Sequence, residues 1–415
     1  MQKIPQNSDN NSVIKPKVLI FGAGPAGLRT AWVLAPFCDV HLFEKESMPG
    51  RKFMVAGKGG LNLSHSPPSS GMASVYSPPG FMNAALEVFS VKALQDWMNE
   101  LGAGVFTGSS GKIFPEKGIT PRMILQAIIT SLEERGCTIH TACSLQSIDT
   151  ADSCTILQNG VKVKLSADYI VVALGGASWP QTGSDGKWTG IFRSHSIKTL
   201  PFRPSNCGVN ISWPENFVQH HAGKPLKNIR LSCGEKSSAG EVLITRYGLE
   251  GYALYPLIPS LRRMEEEGMP LQLIIDLKPV NDPLQLVSRL GLKQAESGNY
   301  RQAFGLQPHS LALAKLLTEK NTFENPLLFA GAIKSLSLQV LSLRPVEEAI
   351  STVGGLALEE VNSDLSLKKL PGVYAAGEML DWDAPTGGWL IHGCFATGNH
   401  AALSILKRLG IPPVV

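Results

Sequence analysis

Charge is scarce in this sequence. Asp, Glu, Lys and Arg make up 17% of the 415 residues, and the formal net charge is +4. So mild a balance does not point to a polyanionic partner and does not exclude one. Long apolar runs are missing too. Nothing approaches the roughly 18 residues that cross a bilayer, and Met1 to Lys17 lacks the ~7 to 15 residue apolar segment of a secretory signal. The expectation is a cytoplasmic protein with no membrane association. The seven cysteines are scattered and never spaced C-x-x-C, which argues against a disulfide framework and a structural metal site. Solenoid-length repeats and low-complexity tracts are also lacking.

What is present is apolar and rich in turns: 43% hydrophobic residues, 41 glycines and 28 prolines. A chain of this length exceeds the usual ~100 to 200 residue domain, so two or three domains are expected. Residues 1–16 are polar and read as a mobile extension. Val18-Leu19-Ile20-Phe21 is a continuous apolar run ending in glycine, as in a strand buried on both faces. Ala26 to Leu34 is helix-competent until Pro36, and Val40 to Phe43 reads as a second strand. This β-α-β unit is close to the shortest right-handed parallel crossover.

Asn83 to Leu101 and Thr120 to Arg135 read as helices, the second with Thr120 as N-cap and Pro121 at its first position. Asn159-Gly160 signals a hairpin, and Tyr169 to Leu174 another buried strand. From Phe192 to Ile333 short β-like segments mix with helical patches such as Ser310 to Leu317. The strand-then-glycine pattern then resumes at Gly372 to Gly377, and Ile391 to Arg408 supplies a final helix. The pattern predicts an α/β fold. A Rossmann-type domain is split over 17–191 and 334–415, and a mixed β-barrel-like and helical domain is inserted at 192–333.

Gly22-Ala23-Gly24-Pro25-Ala26-Gly27 is G-x-G-x-x-G between a predicted strand and a predicted helix. The first glycine permits the tight turn, the second lets a pyrophosphate approach the backbone, and the third lets helix and strand pack closely. The helix start then offers unpaired N–H groups to the phosphates. Glu44 falls 20 residues after Gly24, where a carboxylate can accept from ribose hydroxyls and disfavours a 2′-phosphate. This unit reads as dinucleotide-binding and leaves FAD and NAD equally open. No second such motif follows in residues 90–415, so a separate nicotinamide domain is not visible.

Two later segments, Val171 to Gly176 and Val373 to Glu378, resemble the distal motifs of two-dinucleotide-binding-domain flavoproteins, and with Thr386-Gly387-Gly388 just before the C-terminal helix they decide for FAD. The whole chain from Lys17 to Ala402 resembles the BaiN/RdsA-type (YhiN-like) family. The resemblance is carried by GAGPAGL (22–28), Glu44-Lys45, Pro49-Gly50-Arg51-Lys52, AGKGGLNLSHS (56–66), GKIFPE (111–116), LGGASWPQTGSDG (174–186), ITRYGLEG (244–251) and GVYAAGEMLDWDAPTGGW (372–389). Two stretches depart from the family pattern. Gly60-Leu61 stands where the family usually has Arg-Cys, and Trp389-Leu390 follows Gly387-Gly388 where it commonly has Tyr-Asn.

The resemblance implies FAD, held without a covalent bond. Gly22, Gly24, Pro25, Ala26 and Gly27 would cradle its pyrophosphate, and Glu44 its ribose. Arg51 and Lys52 would neutralise phosphate or line the adenine side, and Lys45, Ala173 and Gly175 would also contact the cofactor. Gly377 and Glu378 would meet the ribityl chain. Gly59, Gly60, Asn62, Thr386, Gly387 and Gly388 would approach the isoalloxazine, with Lys58 as the candidate catalytic cation. It further implies an FAD-dependent oxidoreductase that passes hydride through flavin N5 to an unsaturated small molecule, with NAD(P)H docking transiently as donor. An alternative is formation of dihydrouridine in ribosomal RNA, with Lys224, Lys227, Arg230, Arg262 and Arg263 as phosphate contacts. A third is a non-catalytic, redox-sensing flavin protein.

Overall fold

The structure is a computed structural model that describes residues 15–56, 60–290 and 300–412. Most of the expected N-terminal extension, together with Lys58 and Gly59, lies outside the described residues.

The first strand, Lys17–Phe21, is the centre of a six-stranded sheet. It pairs in parallel with Asp39–Phe43 on one side and with Tyr169–Val172 on the other. Flanked on both edges and covered on both faces, its apolar residues are fully buried, as the continuous run requires. Thr138–His140 extends the sheet beyond Asp39–Phe43. Leu370–Ala375 pairs in parallel with Tyr169–Val172, and the short antiparallel strand Ser366–Leu367 closes the far edge. The C-terminal part of the chain thus completes a sheet begun some 350 residues earlier.

Helix Pro25–Leu34 follows the first strand directly, and the long helix Trp389–Arg408 lies against it. The fit is close because residue 398 is glycine: a Cβ there would sit 2.2 Å from the Ala26 carbonyl oxygen. Thr30 Oγ1 ties the pair by donating to the Gly398 carbonyl at 3.0 Å.

Beside this layer, Cys143–Thr150, Ser153–Gln158 and Val161–Ser166 form an antiparallel sheet. Its second turn is the expected Asn159-Gly160, both with positive φ, which matches a two-residue hairpin to strand twist. The helix expected over Asn83 to Leu101 is two helices, Asn83–Val88 and Val91–Glu100. Ser90 is the reason: its side chain accepts from the Ala93 N–H and starts a new helix.

A second buried core draws on residues 207–349. Its sheet has seven antiparallel strands in the order Leu336–Gln339, Gln272–Asp276, Pro225–Cys233, Lys236–Ile244, Gly248–Glu250, Val209–Asn210, Ser342–Leu343. The first and last of these are separated in the chain only by Val340 and Leu341, so one continuous segment bends from one end of the sheet to the other and wraps it toward a barrel. Helices including Pro308–Leu317 and Pro326–Ala332 cover it. By core membership this inserted body runs from about 206 to 350, not 192 to 333. Phe192 and Ile197 pack in the first core, whereas Leu336, Leu338 and Leu343 pack in the second. The chain enters and leaves it through the antiparallel strands Thr199–Ser205 and Ser351–Leu356, with Ser205 opposite Ser351. Among the described residues no helix is long and apolar enough to cross a membrane.

Candidate dinucleotide and active site

A cleft of about 450 Å³ opens at the carboxyl ends of the central strands. This is where ligands sit in open α/β sheets. Gly22, Gly24, Pro25, Ala26, Glu44, Lys45, Arg51, Lys52, Ala173, Gly175, Gly377 and Glu378 all line it. Gly27, Gly60, Asn62, Thr386, Gly387 and Gly388 do not.

The three motif glycines do different work. At φ +101°, Gly22 turns the chain, and a Cβ there would fall 2.2 Å from the Ala173 carbonyl oxygen. A Cβ on Gly27 would be 1.9 Å from the Gly22 oxygen, so Gly27 lies behind the cleft, where helix meets strand. Gly24 differs, because a Cβ there would meet nothing within 4 Å. The open direction beside Gly24 and a helix start without a side-chain cap leave room and N–H donors for a phosphate.

Glu44 is held by backbone donors, with Oε2 accepting from the Ala23 N–H and Oε1 from the Glu46 N–H, both at 3.0 Å. Burial raises its pKa above the ordinary carboxyl value, while the two N–H groups pull it back. Lys52, in helix Arg51–Ala56, donates from Nζ to Glu378 Oε2 at 2.7 Å and to Ser178 Oγ at 2.6 Å. Glu378 Oε1 in turn accepts from the Thr352 N–H. Lys45 pairs with Asp185 at 3.0 Å, and Arg51 pairs with Glu46.

Sequence reasoning missed the loop that supplies Thr182, Ser184, Asp185 and Trp188 to this cleft. It also missed Ser144 and Gln146 from the neighbouring antiparallel sheet. The loop's signal was the quoted LGGASWPQTGSDG stretch, whose serines and aspartate were not assigned roles. Cys394 lines the cleft as well, but burial pushes its thiol up to about 12, which keeps it protonated.

A second cluster forms where the first body meets the inserted one. The small sheet of Ser64–His65, Lys112–Pro115 and Val105–Thr107 carries His65 opposite Lys112. The Gly387-Gly388 turn lies flush on it: a Cβ on Gly388 would be 2.6 Å from the Ser64 nitrogen and oxygen. His65 stacks on Trp389 at 4.9 Å. Below them His392 is fully buried. Its Nε2 donates to the Phe89 carbonyl and its Nδ1 accepts from Ser64 Oγ, and burial lowers its pKa to about 4. Thr386 N–H donates to Asn206 Oδ1. Asn62 Oδ1 is buried without a hydrogen-bond partner among the described residues, and Gly60 has open space beside it.

Arg262, expected to contact phosphate, is instead committed internally. It donates to the Pro204 carbonyl at 3.0 Å and pairs with Asp383 at 3.1 Å, with both side chains nearly buried. Asp383 also accepts from Ser205 Oγ, and its backbone exchanges both hydrogen bonds with Ser77. It therefore joins the inserted body, the connecting strands and the first body a few residues before the Thr386 turn.

A Rossmann sheet with an uncapped glycine turn, a strand-end carboxylate and a distal Gly-Glu pair at one cleft defines a dinucleotide-binding protein, and its family makes it an FAD-dependent oxidoreductase. The family model described as HI0933-like protein Rossmann domain matches residues 16–404, and the chain belongs to that family, which includes the BaiN, RdsA and YhiN proteins. A 3-dehydro-bile acid delta(4,6)-reductase of Clostridium scindens is 22% identical, over 94% of this chain and 99% of its own length. A ribosomal RNA dihydrouridine synthase of Escherichia coli is 24% identical, over 89% and 93%. Among solved structures, the ketosteroid delta1-dehydrogenase of Sterolibacterium denitrificans shares the fold, with TM-score 0.50, 11% identity and coverage of 95% of this chain and all of its own.

Proposed function

We propose that the protein reduces a carbon–carbon double bond conjugated to a carbonyl in a small, largely apolar ring compound, with NAD(P)H as electron donor. The observation that carries this reading is the full-length likeness to the bile acid reductase, which includes the inserted body that covers the junction. Bound FAD would supply the hydride-transfer chemistry.

The chain's own residues hold and orient that group. The Gly24 turn and the helix start would meet the pyrophosphate, and Glu44 would accept from the adenosine ribose. Glu378, fixed by Lys52 and the Thr352 N–H, would accept from the ribityl hydroxyls. The Thr386–Gly388 turn opens the long helix Trp389–Arg408, whose positive end favours the charge that builds at a flavin's pyrimidine edge on reduction. Lys58 and Gly59 remain assigned to the isoalloxazine side on the resemblance alone. With no second dinucleotide motif in the chain, NAD(P)H would bind briefly and leave before the oxidant enters. The same reading places the protein in the cytoplasm, where thiols stay reduced, in keeping with seven unpaired cysteines.

Anaerobic titration of the FAD-loaded protein with NADH and NADPH, followed at the flavin absorbance band, tests the donor. Rapid bleaching that is reversed by a conjugated enone supports the reading. No bleaching with either nucleotide overturns it.

The second reading, reduction of uridine in RNA, rests on the dihydrouridine synthase likeness and on Lys224, Lys227 and Arg230. These three lie exposed on and beside the strand Pro225–Cys233. Reoxidation by uridine-containing RNA and not by enones would select it.

A further inference from the structure

The junction between the two bodies holds a cation that the phosphate and ribityl assignments leave unused. Lys112 rises from its strand opposite His65, and its Cε passes 3.6 Å from where a Cβ on Gly387 would sit. Its Nζ lies 4.3 Å from the ring centroid of Tyr252, which belongs to the inserted body. Among the described residues no carboxylate pairs with that ammonium, so its charge is held by an aromatic face and not neutralised. Tyr252 is 51% exposed and meets Tyr255 edge-on at 6.2 Å, which makes this wall of the junction aromatic. On the first body's side, the Gly387 turn packs beside the Lys112 stem.

We infer that Lys112 and Tyr252, one from each body, form the clamp that recognises the carbonyl oxygen of a conjugated substrate. The inference rests on the enone reading given above. The oxygen of a conjugated carbonyl carries partial negative charge and lies in the plane of the unsaturated system. An ammonium without a carboxylate partner donates to such an oxygen with full charge assistance, and the Tyr252 face keeps that ammonium in place without neutralising it. Because the two residues come from different bodies, the clamp exists only while the inserted body sits over the flavin side. Lys112 is then a specificity-determining residue that touches substrate, and Tyr252 is a positioning residue that holds its ammonium.

The test uses oxidised, FAD-loaded protein, so that binding is read without turnover. Androstenedione, the matching steroid lacking the ring-A ketone, and a uridine-rich RNA oligomer are each titrated while the flavin absorbance band is followed. Wild type should bind androstenedione and discriminate against the deoxo steroid. Lys112→Met should weaken androstenedione binding roughly tenfold to a hundredfold and bind both steroids alike. Lys112→Arg should retain part of the discrimination, Tyr252→Ala should lose several-fold, and Tyr252→Phe less. Thermal unfolding and the reduction potential of the bound FAD should match wild type in all of them, since the Lys112 ammonium makes no other polar contact among the described residues and Tyr252 is half exposed.

Androstenedione affinity unchanged in Lys112→Met overturns the clamp while leaving the enone reading intact. So does a shifted flavin potential with intact steroid affinity, which would make Lys112 a flavin-edge cation. If wild type binds RNA and neither steroid, or binds none of the three, the enone reading falls and the clamp with it.

Discussion

The two ends of the site are built by opposite means. At the dinucleotide end, between Gly22 and Glu44, the work is done by backbone: a positive-φ turn, a glycine pressed against a carbonyl, a helix start without a cap, and a carboxylate held by two peptide N–H groups. At the junction end it is done by side chains from distant parts of the chain: Asn206 on Thr386, Arg262 on Asp383, Ser64 on His392, Lys112 over Tyr252. A backbone site tolerates no change at a few positions and much change elsewhere. A side-chain site can be retuned residue by residue.

The largest expected effect separates steric necessity from ligand contact at the dinucleotide end. Gly27→Ala drives a Cβ into the Gly22 oxygen and should cost more than about 3 kcal/mol of stability, with loss of bound FAD. Gly24→Ala, whose Cβ enters open space, should leave apoprotein melting unchanged while weakening FAD binding about tenfold. Equal damage from both substitutions in calorimetry would erase the distinction between the two glycines.

At the junction, Asp383→Asn strands the Arg262 guanidinium among nearly buried groups and should cost about 3 kcal/mol. Adding Arg262→Met should recover part of that loss. A double-mutant cycle with no coupling would mean that the ion pair does not fasten the inserted body.

Somewhat smaller is the acid sensitivity of the same end. His392 titrates near 6.5 when unfolded and at about 4 when folded, so the unfolded chain binds the proton more readily between those values. Its contribution is present above pH 6.5 and should be lost, by about 3 kcal/mol at most, as pH falls toward 4. His392→Gln should flatten that limb of a denaturation-against-pH curve.

Glu44 has the opposite sign, because burial raises its pKa. The apoprotein should gain stability as pH falls through the window just above the ordinary carboxyl range. Glu44→Gln should remove that gain and lower FAD affinity by about 1 kcal/mol. An unchanged pH profile in chemical denaturation would count against the buried carboxylate.

The contrast also explains what could be read from residues alone. Gly22, Gly27 and Glu44 were legible as structure because a turn, a helix–strand contact and a carboxylate at a strand end each fall at a fixed spacing in the motif. So was the Asn159-Gly160 hairpin, since few residues adopt its dihedral angles. The Lys112–Tyr252 contact was not legible, because a pairing over such a sequence separation leaves no local periodicity, whereas the Asp185 loop was visible as a motif but its polar residues carried no spacing that names a role. Arg262 was misread for a related reason. Its sequence neighbourhood is that of an exposed cation, and only the return of residues 381–388 to the connecting strands supplies Asp383. The break at Ser90 was available, a serine ahead of a fresh amphipathic turn, but the apolar spacing on either side masked it.

The side-by-side connecting strands Thr199–Ser205 and Ser351–Leu356 have a consequence for how such proteins can be recombined. With Ser205 facing Ser351, the two cut points for the intervening residues are neighbours, and closing the gap by a short linker costs little chain entropy. The inserted body is thus a cassette: it can be exchanged with that of a relative, or trimmed away, without re-registering the parallel sheet. Tyr252 and Arg262 would leave with it, while Lys112 and the glycine turn would stay behind. A chimera made at these points asks directly which half of the molecule chooses the substrate.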